Sequence, residues 1–236
     1  MTATAEGRDT GPERSSHCAP TRTPKIAGRR NLETKARLSL QWMDRISRTD
    51  GSAFTRQGEA WSEATTLGPG SFRVRLGGPF RGAWLANLSC QLAEQQISID
   101  HVHARLGPDR VWIAELHLLA QHATLDPLAI DYPALAEESD RQTKPVFAIE
   151  CYRLLESRDY GGSLMLTLEA RDSLGLLGSL LTRLALLGLV PVELHIETKA
   201  GRAYDSLWLC TADGGRPASD AHAAVLQVLE RSCNTA

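Results

Sequence analysis

The sequence predicts an α+β protein made of two copies of one unit, each an antiparallel sheet with helices on one face. Three observations predict this. Along residues 163–210 the apolar spacing runs from period two, through a helical period, and back to period two. Residues 71–118 repeat that order 92 to 93 positions earlier in the chain. A further short amphipathic stretch follows each copy.

The second copy is the clearer one. Leu164, Leu166 and Leu168 alternate with Met165 and Thr167, the pattern of a half-buried strand. Arg171-Asp172-Ser173-Leu174-Gly175 breaks the alternation. Leu176, Leu177, Leu180, Leu181, Leu184 and Leu187 then recur at helical spacing, with Gly188 where a helix C-cap is expected. Val190, Val192, Leu194 and Ile196 alternate up to a turn at residues 199–202, and residues 204–209 return as the hairpin partner. Ahead of this core, residues 146–151 read as a leading strand and residues 157–162 as a turn cluster. Behind it, residues 220–232 read as a helix with Ala221, Val225, Leu226 and Leu229 on the inner side.

In the first copy Ser71 aligns with Ser163 and Leu76 with Leu168; after one gap Gly82 falls on Gly175. Gln96-Ile97-Ser98-Ile99 falls on Leu189-Val190-Pro191-Val192, and the turn Gly107-Pro108-Asp109-Arg110 on Ala200-Gly201-Arg202. A weak strand over residues 54–66 precedes this copy and a helix over residues 131–139 follows it. The layout is therefore a disordered tail at residues 1–30, a helix and linker at 31–53, a first unit at 54–140 and a second at 141–236. The tail has no apolar surface to offset the entropy of ordering it. Asn31 can cap the helix after it, whose stripe is Leu38, Trp42, Met43 and Ile46.

Asp172-x-x-Gly175-Leu176-Leu177, a helix, Gly188-Leu189 and a hairpin together resemble an ACT domain, a ferredoxin-like βαββαβ module that usually binds amino acids. The continuation Thr211-Ala212-Asp213-Gly214-Gly215-Arg216-Pro217 and its helix are similar to the C-terminal paired ACT domains of bacterial PII uridylyltransferases and their plant relatives. The resemblance covers about residues 54–233. It implies two ferredoxin-like (ACT) units, a regulatory role, an amino acid or related small metabolite as ligand, and a homodimer or another protein partner. It does not carry transferase activity, because no nucleotidyltransferase or HD phosphohydrolase motif accompanies it.

Composition narrows the classes. The net charge is −2, which gives no global basic character for nucleic acid or an anionic membrane. Residues 1–50 hold ten Lys/Arg against six acids, a balance of +4 that leaves −6 for the rest, so the tail reads as solvated rather than as a nucleic-acid arm. Five widely spaced cysteines without a CxxC fit reduced thiols in a cytoplasmic protein. No stretch has signal-peptide or membrane-spanning character.

Chemistry points to two places. A small carboxylate ligand fits the loop Arg171, Asp172, Ser173 and Gly175, with Gly82 in the equivalent loop of the first copy: amides at a helix N-terminus attract an anion, and glycine lets a ligand approach the backbone. The plainer reading is that Asp172 caps the helix and Gly175 makes the turn. The second place is a strand face carrying His101 and His103, with Trp112 expected opposite them, His117 on the other face and His195 isolated. Those histidines would support a biosynthetic enzyme on an ACT-like scaffold, using metal or haem or acid–base chemistry. No third metal ligand is spaced near them, so the expectation is no metal and no cofactor. GxSxG, a P-loop, GxGxxG and HExxH are absent.

Overall fold

Each half of the chain spends its apolar residues on one sheet face and one pair of helices. The computed structural model describes residues 59–107, 109–120, 126–137 and 148–233. The elements are β1 (Trp61–Gly68), β2 (Ser71–Pro79), α1 (Trp84–Glu94), β3 (Ile97–Leu106), β4 (Val111–Ala120) and α2 (Tyr132–Glu137), then β5 (Ile149–Ser157), β6 (Ser163–Arg171), α3 (Leu176–Leu186), β7 (Leu189–Lys199), β8 (Arg202–Thr211) and α4 (Ser219–Cys233). All eight strands join in one antiparallel sheet of order β1-β2-β4-β3-β7-β8-β6-β5. The expected tail and the helix and linker after it lie outside the described residues. No described helix is long and apolar enough to cross a membrane.

The repeat is visible in the element starts. β2 and β6 begin at Ser71 and Ser163, α1 and α3 at Trp84 and Leu176, and β3 and β7 at Ile97 and Leu189, a constant shift of 92. Gln96 and Gly188, also 92 apart, both turn left-handed before the next strand, with φ of 60° and 71°. The constant shift corrects the alignment with one gap. The position matching Gly175 is Ala83, and Gly82 lies one residue earlier.

The helix face of the sheet is a leucine layer. Trp112, Ala114, Leu116 and Leu118 of β4 and Ala203, Leu207 and Leu209 of β8 are buried there, under Leu88 and Leu92 of α1 and Leu180 and Leu184 of α3. Each fully buried leucine contributes on the order of 2 kcal/mol. The edge strands were hard to read from sequence because few of their residues are buried. β5 buries only Ile149 and Leu154, and runs further along the chain than the apolar run at 146–151 suggested.

Two contacts between the halves dominate. β3 pairs with β7 through His101↔Glu197, His103↔His195 and Arg105↔Glu193. Above that seam α1 crosses α3 at Gly178. A Cβ on Gly178 would stand 2.6 Å from Cys90 Sγ, 3.0 Å from the Cys90 amide nitrogen and 3.2 Å from the Ala86 carbonyl oxygen. Glycine is therefore required by close approach, although alanine is the better helix former. Gly178→Ala should destabilise the fold by about 1–3 kcal/mol, measured as a lower urea midpoint. Adding Cys90→Ala should recover part of the loss, because it removes the nearest of the three atoms.

Candidate functional sites

The first candidate is a cavity at the α1–α3 junction, on the helix side of the sheet. Asp172, Ser173 and Gly175 line it from the β6–α3 loop, Ser89 and Ala93 from α1, Ile97 to Ile99 from β3, Ile196 and Thr198 from β7, and Asp205 from β8. Its volume including the mouth is about 420 Å³. The junction between the repeats is thus built within one chain. Arg171, at the exposed end of β6, does not line the cavity, and neither does Gly82, which faces Val190.

The local backbone explains the loop. Gly175 is the residue before α3, with φ of 81°, a left-handed conformation that other residues adopt at a cost. No side chain caps the helix. The expectation that Asp172 is a cap is therefore corrected: its amide donates to the Gly201 carbonyl at 3.0 Å, which ties the loop to the β7–β8 turn and turns Asp172 toward the cavity. The Leu176 amide donates to Ser173 O at 3.1 Å, and the first helical bond is Ser179 N to Gly175 O at 2.9 Å. The amides of Leu177 and Gly178 fall between these two and precede any intrahelical acceptor.

Asp205 is the residue that sequence reading missed. It alternates with Leu207 and Leu209 on the helix face, a position that β8 otherwise fills with apolar side chains. It is 2% exposed, and neither carboxylate oxygen has a hydrogen-bond partner among the described residues. The hydroxyls of Ser89 and Thr198, which line the same cavity, are buried and unpartnered as well. Burial, and then the charge of Asp172, push the Asp205 carboxyl up to about 7. Burial, followed by the charge of Asp100, also raises Asp172. The only signal available in the sequence was an acidic residue at a core position of an otherwise regular strand.

The second candidate lies on the opposite, polar face of the sheet. His103 and His195 occupy equivalent positions of the two halves and stack with ring centroids 4.2 Å apart and planes at 24°. Glu193, 3% exposed, sits beside them. Its Oε1 is 2.8 Å from His195 Nε2 and 4.0 Å from His103 Nε2, and its Oε2 accepts from Tyr160 Oη and lies 3.6 Å from Arg105 Nε. Tyr160 reaches the cluster from the 3-10 turn Asp159–Gly161 with φ of 55° and packs edge-on against Trp208. Burial alone would raise the Glu193 carboxyl, but hydrogen bonds from His195 and Tyr160 outweigh it and hold it down at about 2. Burial, with His195 next, lowers His103 to about 3, so its imidazole is neutral.

This face corrects three expectations. Trp112 is not opposite the histidines: it pairs with Leu106 and is buried on the helix side against Trp84, at 5.4 Å. His117 is not on the other face: it pairs with His101, with ring centroids 5.5 Å apart, while Glu115 accepts from Arg75 at 2.9 Å. His195 is not isolated. One cause explains the first two errors. The β3–β4 register differs by an odd number of residues from the assumed hairpin, and an odd shift moves every side chain to the other face.

Comparison with known proteins gives no match to a family model, a curated protein or a solved structure.

The ionisation of Asp205 sets a pH dependence. Its carboxyl is raised in the folded chain, so the unfolded chain releases that proton first and stability falls as pH rises from about 4 to about 7. By linkage this amounts to a loss on the order of 4 kcal/mol. Asp205→Asn removes the loss. Its urea midpoint should match the wild type near pH 4 and exceed it at pH 8; equal gaps at both pH values would show that Asp205 is not held neutral.

Proposed function

We propose that this chain is a tandem ACT-like regulatory protein whose two ferredoxin-like units bind an amino acid or a closely related small amine in the cavity at the α1–α3 junction. The observation that carries this reading is Asp205, a buried carboxylate without a hydrogen-bond partner among the described residues, opening with the Ser89 and Thr198 hydroxyls onto that cavity. A buried polar group without a partner costs free energy, and a bound ammonium removes that cost. The ligand's two ends then have different places. The ammonium belongs between Asp205 and Asp172. The carboxylate belongs at the amides of Leu177 and Gly178, where the dipole of α3 favours negative charge. The carboxylate end expected at this loop is kept, while the acidic floor supplies the larger share of recognition.

The position of the cavity supports the regulatory role. The cavity is walled by both repeats, so an occupant ties α1, α3, β3 and β8 together and favours one arrangement of the halves. A homodimer or another protein partner would receive that change.

Isothermal calorimetry of the full chain against the twenty amino acids and their decarboxylated amines tests the reading. At least one should bind at pH 8, and Asp205→Asn should weaken it tenfold or more. Gly175→Val is a poorer probe, because the positive φ costs stability whatever the ligand does. Binding unaffected by both Asp205→Asn and Asp172→Ala would place the ligand elsewhere.

The alternative is an enzyme working on the polar face. The Glu193–His195 contact at 2.8 Å supports it, since a carboxylate that orients an imidazole is the arrangement of a general base. A haem version of this alternative would show a Soret band in the purified protein.

A further inference from the structure

We propose that His103, His195 and Glu193 form a divalent transition-metal site on the polar face of the sheet, at the seam where the two halves pair. This site lies on the opposite side of the sheet from the amine cavity and does not depend on it.

The geometry is the first reason. One ligating atom from each of His103, His195 and Glu193 lies within 4.8 Å of the other two. An ion bonded at about 2.1 Å to two imidazole nitrogens and a carboxylate oxygen holds them roughly 3.4 Å apart. The 2.8 Å contact from Oε1 to His195 must open, and the 4.0 Å contact to His103 must close, each by roughly 0.6 Å from that spacing. Side-chain torsions can make both adjustments without moving the strands.

The division of Glu193 between its two oxygens is the second reason. Tyr160 Oη and Arg105 Nε both approach Oε2, while Oε1 alone faces the two imidazoles. A ligating carboxylate is oriented in this way, with outer partners on the oxygen that does not bind the ion. Arg105 also sets a limit: its positive charge on the far oxygen weakens cation binding, so the expected affinity is micromolar rather than picomolar.

The third reason is the donor set. Two imidazoles with one carboxylate suit zinc, cobalt, nickel or ferrous iron, whereas magnesium and calcium require more oxygen ligands. Three protein ligands leave at least one coordination position for water or a small molecule, next to the indole of Trp208, which lies 5.8 Å from the His195 ring.

The sequence concealed this set because its members come from both repeats. Glu193 and His195 are two apart on β7, on one face, and strand pairing brings His103 to them from 90 residues away in Glu193's case. A search for ligands close together in sequence finds separate pairs, His101 with His103 and Glu193 with His195, and not the triad.

The test is a titration of the full chain, free of any histidine tag and stripped with EDTA, with cobalt(II) chloride followed by visible absorption. We expect one cobalt per chain, d–d bands between about 500 and 650 nm as four-coordinate cobalt in a site of zinc geometry gives, displacement by zinc, and no displacement by magnesium. Glu193→Gln and His195→Ala should each weaken binding at least tenfold, whereas His117→Gln should leave it unchanged. No saturable cobalt binding, or binding that survives both Glu193→Gln and His195→Ala, overturns the proposal. So does a thiolate-to-cobalt charge-transfer band, which would put the ion on cysteine. Should the variants fail to fold, the wild-type chain still decides the matter. Zinc should shift the ring nitrogens of two stacked histidines in imidazole-detected NMR and leave His222 unmoved; a spectrum unchanged by zinc overturns the site.

Discussion

The β3–β7 pairing is the constraint on which the rest depends. It joins two four-stranded halves into one sheet through His101↔Glu197, His103↔His195 and Arg105↔Glu193. Because His103 and His195 are equivalent positions of the repeat, the pairing is symmetric about them. That symmetry also brings α1 over α3, and the Gly178 contact with Ala86 and Cys90 sets how closely they cross. Both candidate sites lie on this seam, one on each face. The helix-side cavity is the space left beside the helix crossing, and the polar-face cluster is the strand pairing itself seen from the other side.

The two faces handle buried charge differently. On the polar face Glu193 has hydrogen bonds with His195 and Tyr160 and an ion pair with Arg105, and stays ionised although it is buried. On the helix face Asp205 has no donor among the described residues and is pushed toward neutrality. Burial alone acts in the same direction on both carboxyls, so the difference lies in their hydrogen bonds. A paired buried carboxylate can hold a structure or a metal together. An unpaired one costs stability until something binds it, which makes Asp205 the more informative of the two for ligand binding.

The halves are alike in order of elements and unlike in chemistry. Positions matching Glu193 and Glu197 in the first half are His101 and Arg105, so the symmetric seam places acids on one strand against bases on the other. The loops before the helices differ in the same manner. Ala83 precedes α1 with φ of −107°, whereas Gly175 precedes α3 with φ of 81° and directs its loop toward the cavity. The repeat supplies a paired scaffold, and its divergence supplies the sites.

The sequence by itself determined the α+β class, the strand–helix–hairpin core in each copy of the repeat and the loop at Asp172 to Gly175. Those features are local: period two, period 3.6 and turn residues are written within ten or so neighbours. It was weaker at the edge strands β1 and β5, where few side chains are buried and the period fades. Only the tertiary structure decided which residues share a face across strands. The β3–β4 register moved Trp112 into the core and His117 beside His101, and no propensity records a register. It also decided the partners of long separation: Asp205 under the Gly175 loop, and Glu193 and His195 against His103. The physical reason is that a strand's own sequence fixes which of its side chains alternate, while pairing and helix crossing fix what those side chains meet.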